Sequence, residues 1–195
     1  MKSYNIAAYI SGSGSNLKSI IDSSLNGNIS SKVRLVIANR DVSGLDYPRS
    51  LGIDTAVISR DNLSRDEFLD AQLDLLNRHK INLIILAGYL KKLPPEIVRK
   101  FNNRILNIHP ALLPKFGGKG MHGMNVHRAV IESGEIFSGP TVHFVDEIYD
   151  NGRILLQQKI EIGPDETPEN LQKRVLEIEH RIYSEAIKIL EDREE

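Results

Sequence analysis

Short apolar runs alternate along the chain with longer segments in which apolar residues recur at helical spacing. The runs "YNIAAYI" (4–10), "VRLVIAN" (33–39), "DTAVI" (54–58), "INLIILA" (81–87) and "RILNI" (104–108) read as strands, and their near-continuous apolar character predicts burial on both faces. Between them, "NLKSIIDSSL" (16–25), "SRDEFLDAQLDLLNRH" (64–79) and the shorter "PPEIVRKF" (94–101) read as helices; the second carries Phe68, Leu69, Leu73, Leu75 and Leu76. Strands alternating with helices predict βαβ units and a mainly parallel sheet. After residue 135 the pattern changes. "SGPTVHFVDE" and "GRILLQQKIEI" are strand-like runs joined by "IYDNG", whose Asn-Gly pair is a turn signal, so a late antiparallel strand pair is expected. A long closing helix follows from Thr167 as N-cap through 195, with Pro168 at its first position and Glu169 in its first turn. No repeat, linker or low-complexity block interrupts the chain, so one α/β domain over 1–195 is the expectation.

Composition narrows the function classes. At 195 residues and 41% hydrophobic content the chain can bury one sizeable core. Lys plus Arg total 25 against 26 acids, a net charge of −1 that gives no footprint for a polyanion, so nucleic acid is not an expected partner. Cysteine is absent, which removes disulfides, zinc-thiolate sites and thiol nucleophiles together. The N-terminal apolar run ends in a Gly-Ser loop after too few residues for a signal peptide, and no other run approaches a bilayer span. The expectation is a soluble cytoplasmic protein without a membrane partner.

Two stretches could carry chemistry. "ISGSGSNLKSI" runs a strand into Gly12-Ser13-Gly14-Ser15-Asn16 and then a helix, whose unpaired N–H groups and dipole suit a phosphate, with Ser15 and Asn16 as side-chain partners. Leu17 occupies the position of the third glycine in a dinucleotide fingerprint, so that motif is not met; the alternative is a tight turn with a Ser or Asn cap. In "ILNIHPALLPKFGGKG", Asn107 and His109 lie two apart at the end of a strand and face the same side. An imidazole and an amide can share one developing oxyanion. The alternative is that His109 caps a buried strand end and Asn107 shapes a turn. Asp150, in the late turn, is the candidate third member: a carboxylate beside an imidazole orients it and favours its protonated form, raising its pKa toward neutrality or above. His143 in "TVHFV" reads as a satisfied buried histidine rather than a direct participant. His122 and His127 in "MHGMNVH" lack a third ligand, so no metal is expected; the segment reads as a mobile loop in which Met121 and Met124 offer adaptable contacts.

Taken in order, "ISGSGSNL", "VIANRD", "LAGYLKKL", "LNIHPALLPKF", "TVHFVDEIYDNG" and "ILLQQKIEI" resemble the 10-formyltetrahydrofolate-dependent formyltransferase family, from the first strand to the "EIEHRIY" helix. "NIHPALLP" carries the resemblance to the wider family, and "GSGSNL" to its glycinamide ribonucleotide branch. The resemblance implies a Rossmann-like formyltransferase fold and a place in purine biosynthesis. It implies formyl transfer from 10-formyltetrahydrofolate, as co-substrate, to the amine of phosphoribosylglycinamide, with no metal. It makes Asn107, His109 and Asp150 the catalytic trio. Gly14, Ser15, Asn16 and Glu179 fall on the ribonucleotide side. Arg65, Leu90, Lys91, Lys92, Leu93, Asn107 and the run Asp146, Glu147, Ile148, Tyr149, Asp150 fall on the folate side. The expected partners are these small molecules, with the chain acting as a monomer or homodimer. Two departures stand out: "GGKGMHGMNVHRAV" is longer than the family's segment there, with His127 in the place of its helix-proximal histidine, and Lys91 stands where an arginine is common. A formyltetrahydrofolate hydrolase, or a non-catalytic module binding a phosphorylated ligand, are the alternative readings.

Overall fold

The computed structural model describes residues 2–193, the side chain of Asn62 excepted. Met1, Glu194 and Glu195, which fall within the expected domain and closing helix, lie outside the described residues. The chain runs β1 (Asn5–Ile10), α1 (Ser15–Leu25), β2 (Lys32–Ala38), α2 (Asp46–Ser50), β3 (Asp54–Val57), α3 (Arg65–Arg78), β4 (Leu83–Leu86), α4 (Pro95–Lys100), β5 (Ile105–His109), α5 (Met124–Glu132), β6 (Phe137–Ser138), β7 (Thr141–Phe144), β8 (Ile154–Gln157), β9 (Ile160–Glu161) and α6 (Pro168–Asp192). Seven strands form one sheet in the order β3-β2-β1-β4-β5-β7-β8. The first five are parallel, and β7 and β8 add antiparallel at one edge.

Alternation along β1 divides the interior. Ile6, Ala8 and Ile10 join α1 and α6 on one face, through Leu17, Ile20, Ile182 and Ile187. Ala7 and Tyr9 face α3 and α4, meeting Phe68, Leu76, Ile97 and Phe101. Burial on both faces is why β1 and β4 are apolar without a break, whereas β3, at the sheet edge, departs from that expectation and is half-buried to exposed. Helix α3 opens with a capping box in which Ser64 and Glu67 satisfy each other's backbone N–H groups. The start of α6 matches its sequence signals, with the Thr167 side chain accepting from the Asn170 N–H at 3.2 Å. At its other end the buried Glu191 accepts from Ser30 N–H, Ser31 N–H and Ser31 Oγ–H, tying α6 to the entry of β2. Midway, the hydroxyl of fully buried Tyr183 lies 3.0 Å from the carbonyls of both Leu86 and Leu106, at β4 and β5.

The segment after "LLPKF" is partly helical, since α5 begins at Met124 and buries Val126 and Val130 against Leu171 and Val175 of α6. The late strands pair as expected, but not through a tight Asn-Gly hairpin. Their connection runs from 145 to 153, and the residue in the left-handed region is Asp150, φ 53°, rather than either residue of the Asn-Gly pair. Gly152 is needed for another reason: a Cβ there would lie 1.8 Å from the Phe144 carbonyl oxygen. The small β6–β9 ladder, the helix α2 and the single helical turns at Ser43–Leu45 and Arg60–Asn62 carry too few residues to show periodicity.

Candidate active site

The chain leaves β1 toward β2 and β3 on one side, while β4 and β5 lie on the other, so the loops after β1 and β4 diverge at a topological switch point. A cleft of about 1810 Å³ opens there, beyond the carboxyl ends of the strands. Its lining includes Gly12 to Asn16, Leu90 to Leu93, Asn107, His109, Asp146 to Asp150 and Glu179. Residues spread along the whole sequence thus share one wall.

Asn107 and His109 stand on β5, and register across the antiparallel ladder sets His143 opposite Asn107. The Asn107 amide Nδ2 lies 3.1 Å from His143 Nε2 and donates to Asp150 Oδ1 at 3.5 Å. His143 Nδ1 lies 2.8 Å from the Phe144 carbonyl, so that nitrogen is the donor and Nε2 accepts from Asn107. Asp150 Oδ2 accepts the Gly118 N–H at 2.8 Å and lies 3.6 Å from His109 Nδ1. His143 is therefore part of the cluster, not a bystander in the core. Its position follows from strand register, which the sequence does not display.

The electrostatics depart from the expected raised histidine. Burial pushes the His109 pKa down and outweighs the opposing pull of Asp150 and the Phe116 carbonyl, with His143 adding to the fall. Burial would raise Asp150, but His143, the Gly118 N–H and His109 hold its carboxyl below the usual range. The ligand-free site thus favours neutral imidazole beside carboxylate. His127, buried on α5, is pushed down to about 4 by burial with His109 adding to it, and its Nδ1 has no partner among the described residues.

On the ribonucleotide side, α1 starts at Ser15 after Gly14, φ 70°, with no side chain capping it. The Ser or Asn cap of the alternative reading is absent, which leaves the helix N–H groups turned to the cleft. The Asn16 Nδ2 donates to Glu179 Oε2 at 2.6 Å, while its buried Oδ1 has no partner among the described residues. Burial raises the Glu179 carboxyl to about 7 against the lowering effect of Asn16.

The folate-side residues divide by what they touch. Leu90, Ile148 and Tyr149 are exposed apolar groups at the cleft mouth. Leu93 is buried in the core with Ile97 and Phe101, so it supports the wall rather than offering a free side chain. Lys92 Nζ donates to the Glu147 carbonyl at 3.0 Å and sits 4.7 Å over the Tyr149 ring. Asp146 caps its own loop, accepting from Ile148 N–H and Asn151 Nδ2. Arg65 pairs with Glu96, and Glu147 with Arg99; Lys91 is exposed on the lining. Among the described residues no group of three or more His, Cys, Asp and Glu side chains is placed to hold a metal ion, the His122 and His127 segment included. No described helix is long and apolar enough to cross a membrane.

Sequence reasoning missed the backbone members of the site: the Phe116 carbonyl, 2.8 Å from His109 Nε2, and the Gly118 N–H on Asp150. The only signal for them was the glycine pair in "KFGGKG", which marks a turn without telling what its backbone meets.

The family profile described as formyl transferase matches residues 4–187. The chain is 46% identical over 189 residues to the chloroplastic phosphoribosylglycinamide formyltransferase of Arabidopsis thaliana, covering 93% of this chain and 63% of the relative. It spans 60% of the corresponding Vigna unguiculata protein, so it is under two thirds of these plant relatives' length. Against the Haemophilus influenzae phosphoribosylglycinamide formyltransferase the identity is 43%, covering 94% of this chain and 85% of the relative. The crystal structure of glycinamide ribonucleotide transformylase 1 from Symbiobacterium toebii superposes with a TM-score of 0.89 at 38% identity, over 97% of this chain and 88% of that one. By this match, spanning nearly the whole described fold and its cleft, the chain belongs to the formyl transferase family.

Proposed function

We propose that the chain transfers the formyl group of 10-formyltetrahydrofolate to the amine of 5′-phosphoribosylglycinamide, giving formylglycinamide ribonucleotide and tetrahydrofolate in de novo purine biosynthesis. The observation that carries this reading is the convergence of Asn107, His109 and Asp150 in the cleft that also receives the uncapped start of α1. The names borne by the relatives support it.

In this reading the start of α1, from Gly14 to Asn16, takes the ribonucleotide phosphate through backbone N–H groups, and Glu179 faces the same substrate. Leu90 to Leu93 and the loop from Asp146 to Asp150 take the folate, with Arg65 at the rim. The free amine attacks the formyl carbon, and the Asn107 amide meets the charge that develops on the formyl oxygen, joined by the His109 imidazole once it is protonated. Asp150 steadies the imidazole as it gains a proton. Residues 1–195 act as one catalytic domain on small-molecule substrates, as a monomer or homodimer, in the cytoplasm.

The test follows folate deformylation by absorbance, with and without phosphoribosylglycinamide. Turnover that requires the ribonucleotide supports the transferase. Turnover without it replaces that reading by a formyltetrahydrofolate hydrolase, and ligand binding with no turnover replaces it by a phosphate-ligand-binding module.

A further inference from the structure

We infer that the Phe116 carbonyl is a positioning group that fixes neutral His109 as its Nε2–H tautomer, so that Nδ1, facing Asp150, is the atom that takes up and releases the proton moved in formyl transfer. The tautomer rests on geometry alone; the proton's route rests on the proposed reaction.

A carbonyl oxygen only accepts, so its 2.8 Å contact with His109 Nε2 requires the hydrogen on that nitrogen. Turning the ring over would set Cε1–H against the carbonyl and Cδ2–H against Asp150, forfeiting both polar contacts. With Nε2 protonated, Nδ1 of the neutral ring is bare and lies 3.6 Å from Asp150 Oδ2. Two acceptors then face each other, an arrangement that a proton arriving at Nδ1 turns into a charge-assisted contact. The titratable groups facing His109 are Asp150, His143 and His127, and Asp150 is the one anion among them. His143 has its own Nδ1 committed to the Phe144 carbonyl, and its Nε2, which accepts from Asn107, lies 3.6 Å from the other carboxylate oxygen, Asp150 Oδ1.

The same turn holds both partners. Phe116 adopts a left-handed backbone, φ 57°, which aims its carbonyl at His109, and two residues later the Gly118 N–H fixes Asp150 Oδ2 at 2.8 Å. Between them a Cβ on Gly117 would stand 2.7 Å from Leu113 Cδ2 and 3.1 Å from Asp150 Cβ. A left-handed non-glycine residue is costly unless the surroundings enforce it.

During transfer the amine nitrogen bonds to the formyl carbon and the carbonyl electron pair moves onto oxygen. The new ammonium gives one proton to Nδ1. The oxyanion re-forms the carbonyl, the bond from carbon to the folate N10 breaks with its electron pair on nitrogen, and Nδ1–H delivers the proton to N10. His109 returns to its starting tautomer, and Asp150 remains a carboxylate throughout.

The test is a two-bond proton–nitrogen correlation spectrum of the full chain labelled at histidine nitrogens, with His109 assigned by comparison with His109→Gln. The expected spectrum of the neutral ring has a protonated-type Nε2 and a bare-type Nδ1, and acidification moves Nδ1 far and Nε2 little. Protonation at Nδ1, or averaging of the two nitrogens between tautomers, overturns the inference. Gly117→Ala supplies a second readout: displacing the turn is expected to average the two nitrogens and lower kcat with little change in KM. A fixed tautomer in a variant of reduced kcat overturns the positioning role, and if that variant does not fold the wild-type spectrum still decides. Parallel turnover assays separate the two claims. A fixed Nε2–H tautomer in a protein without ribonucleotide-dependent turnover defeats the reaction and leaves the tautomer standing.

Discussion

Asp150→Asn removes one charge from the centre of the site while keeping the side chain's size. His109 and Asp150 side chains are 4% and 11% exposed with 3.6 Å between Nδ1 and Oδ2, so solvent screens them little. At that distance an imidazolium and a carboxylate attract by about 4–5 kcal/mol at an effective dielectric of about 20. Ligand-free His109 is mostly neutral, held down by burial. Much of the attraction is therefore realised only as His109 gains its proton during reaction, which is the condition for an effect on kcat. Losing about 4 kcal/mol of it lowers kcat by roughly a thousandfold. The Asn Oδ1 can still accept from the Gly118 N–H, so substrate dissociation constants should change less than about fivefold, a shift of under ~1 kcal/mol. Steady-state turnover together with calorimetric binding of each substrate checks both halves. A drop in kcat below about tenfold, or a comparable loss of binding and folding, would refute this account of Asp150.

Glu179 is expected to make the fold weaken as pH rises. Its folded value, about 7, lies above the ordinary 4.5, so the protonated form is favoured and its contribution is full below about pH 4.5 and lost by about pH 7. Urea unfolding of wild type against Glu179→Gln should show a relative loss of about 3 kcal/mol in the wild type across that window; parallel curves would contradict it. Glu191→Gln, which disrupts the three-donor anchor at Ser30 and Ser31, should cost about 2–3 kcal/mol of stability in urea melts with KM unchanged. Gly152→Ala drives a Cβ into the Phe144 carbonyl, and displacement of the Asp150 loop should lower kcat and Tm together; an unaltered Tm would count against that packing.

The central strands β1 and β4 are legible because burial on both faces leaves unbroken apolar runs, the edge strand β3 is legible although it is only half-buried to exposed, and α6 is legible because Thr167, Pro168 and Glu169 spell its start. Asn107 and His109 were legible as a pair because strand alternation puts residues two apart on one face. The place of His143 opposite Asn107 is not legible, because it comes from β5–β7 register, a long-range fact. The direction of the His109 shift is not legible: a neighbouring carboxylate can be read from sequence, but the depth of burial that overrides it cannot. The Asn-Gly pair signalled a turn, yet the left-handed residue is Asp150, because the close approach of Gly152 to Phe144 sets the path of the loop.

The central claim is that the cleft moves a formyl group between two small molecules. The most direct measurement incubates the protein with phosphoribosylglycinamide and 10-formyltetrahydrofolate labelled at the formyl carbon, and locates the label by mass spectrometry, with His109→Ala alongside. The account predicts label in formylglycinamide ribonucleotide with the wild type and loss of that product in the variant. Label released as formate, or equal product from both proteins, would contradict it.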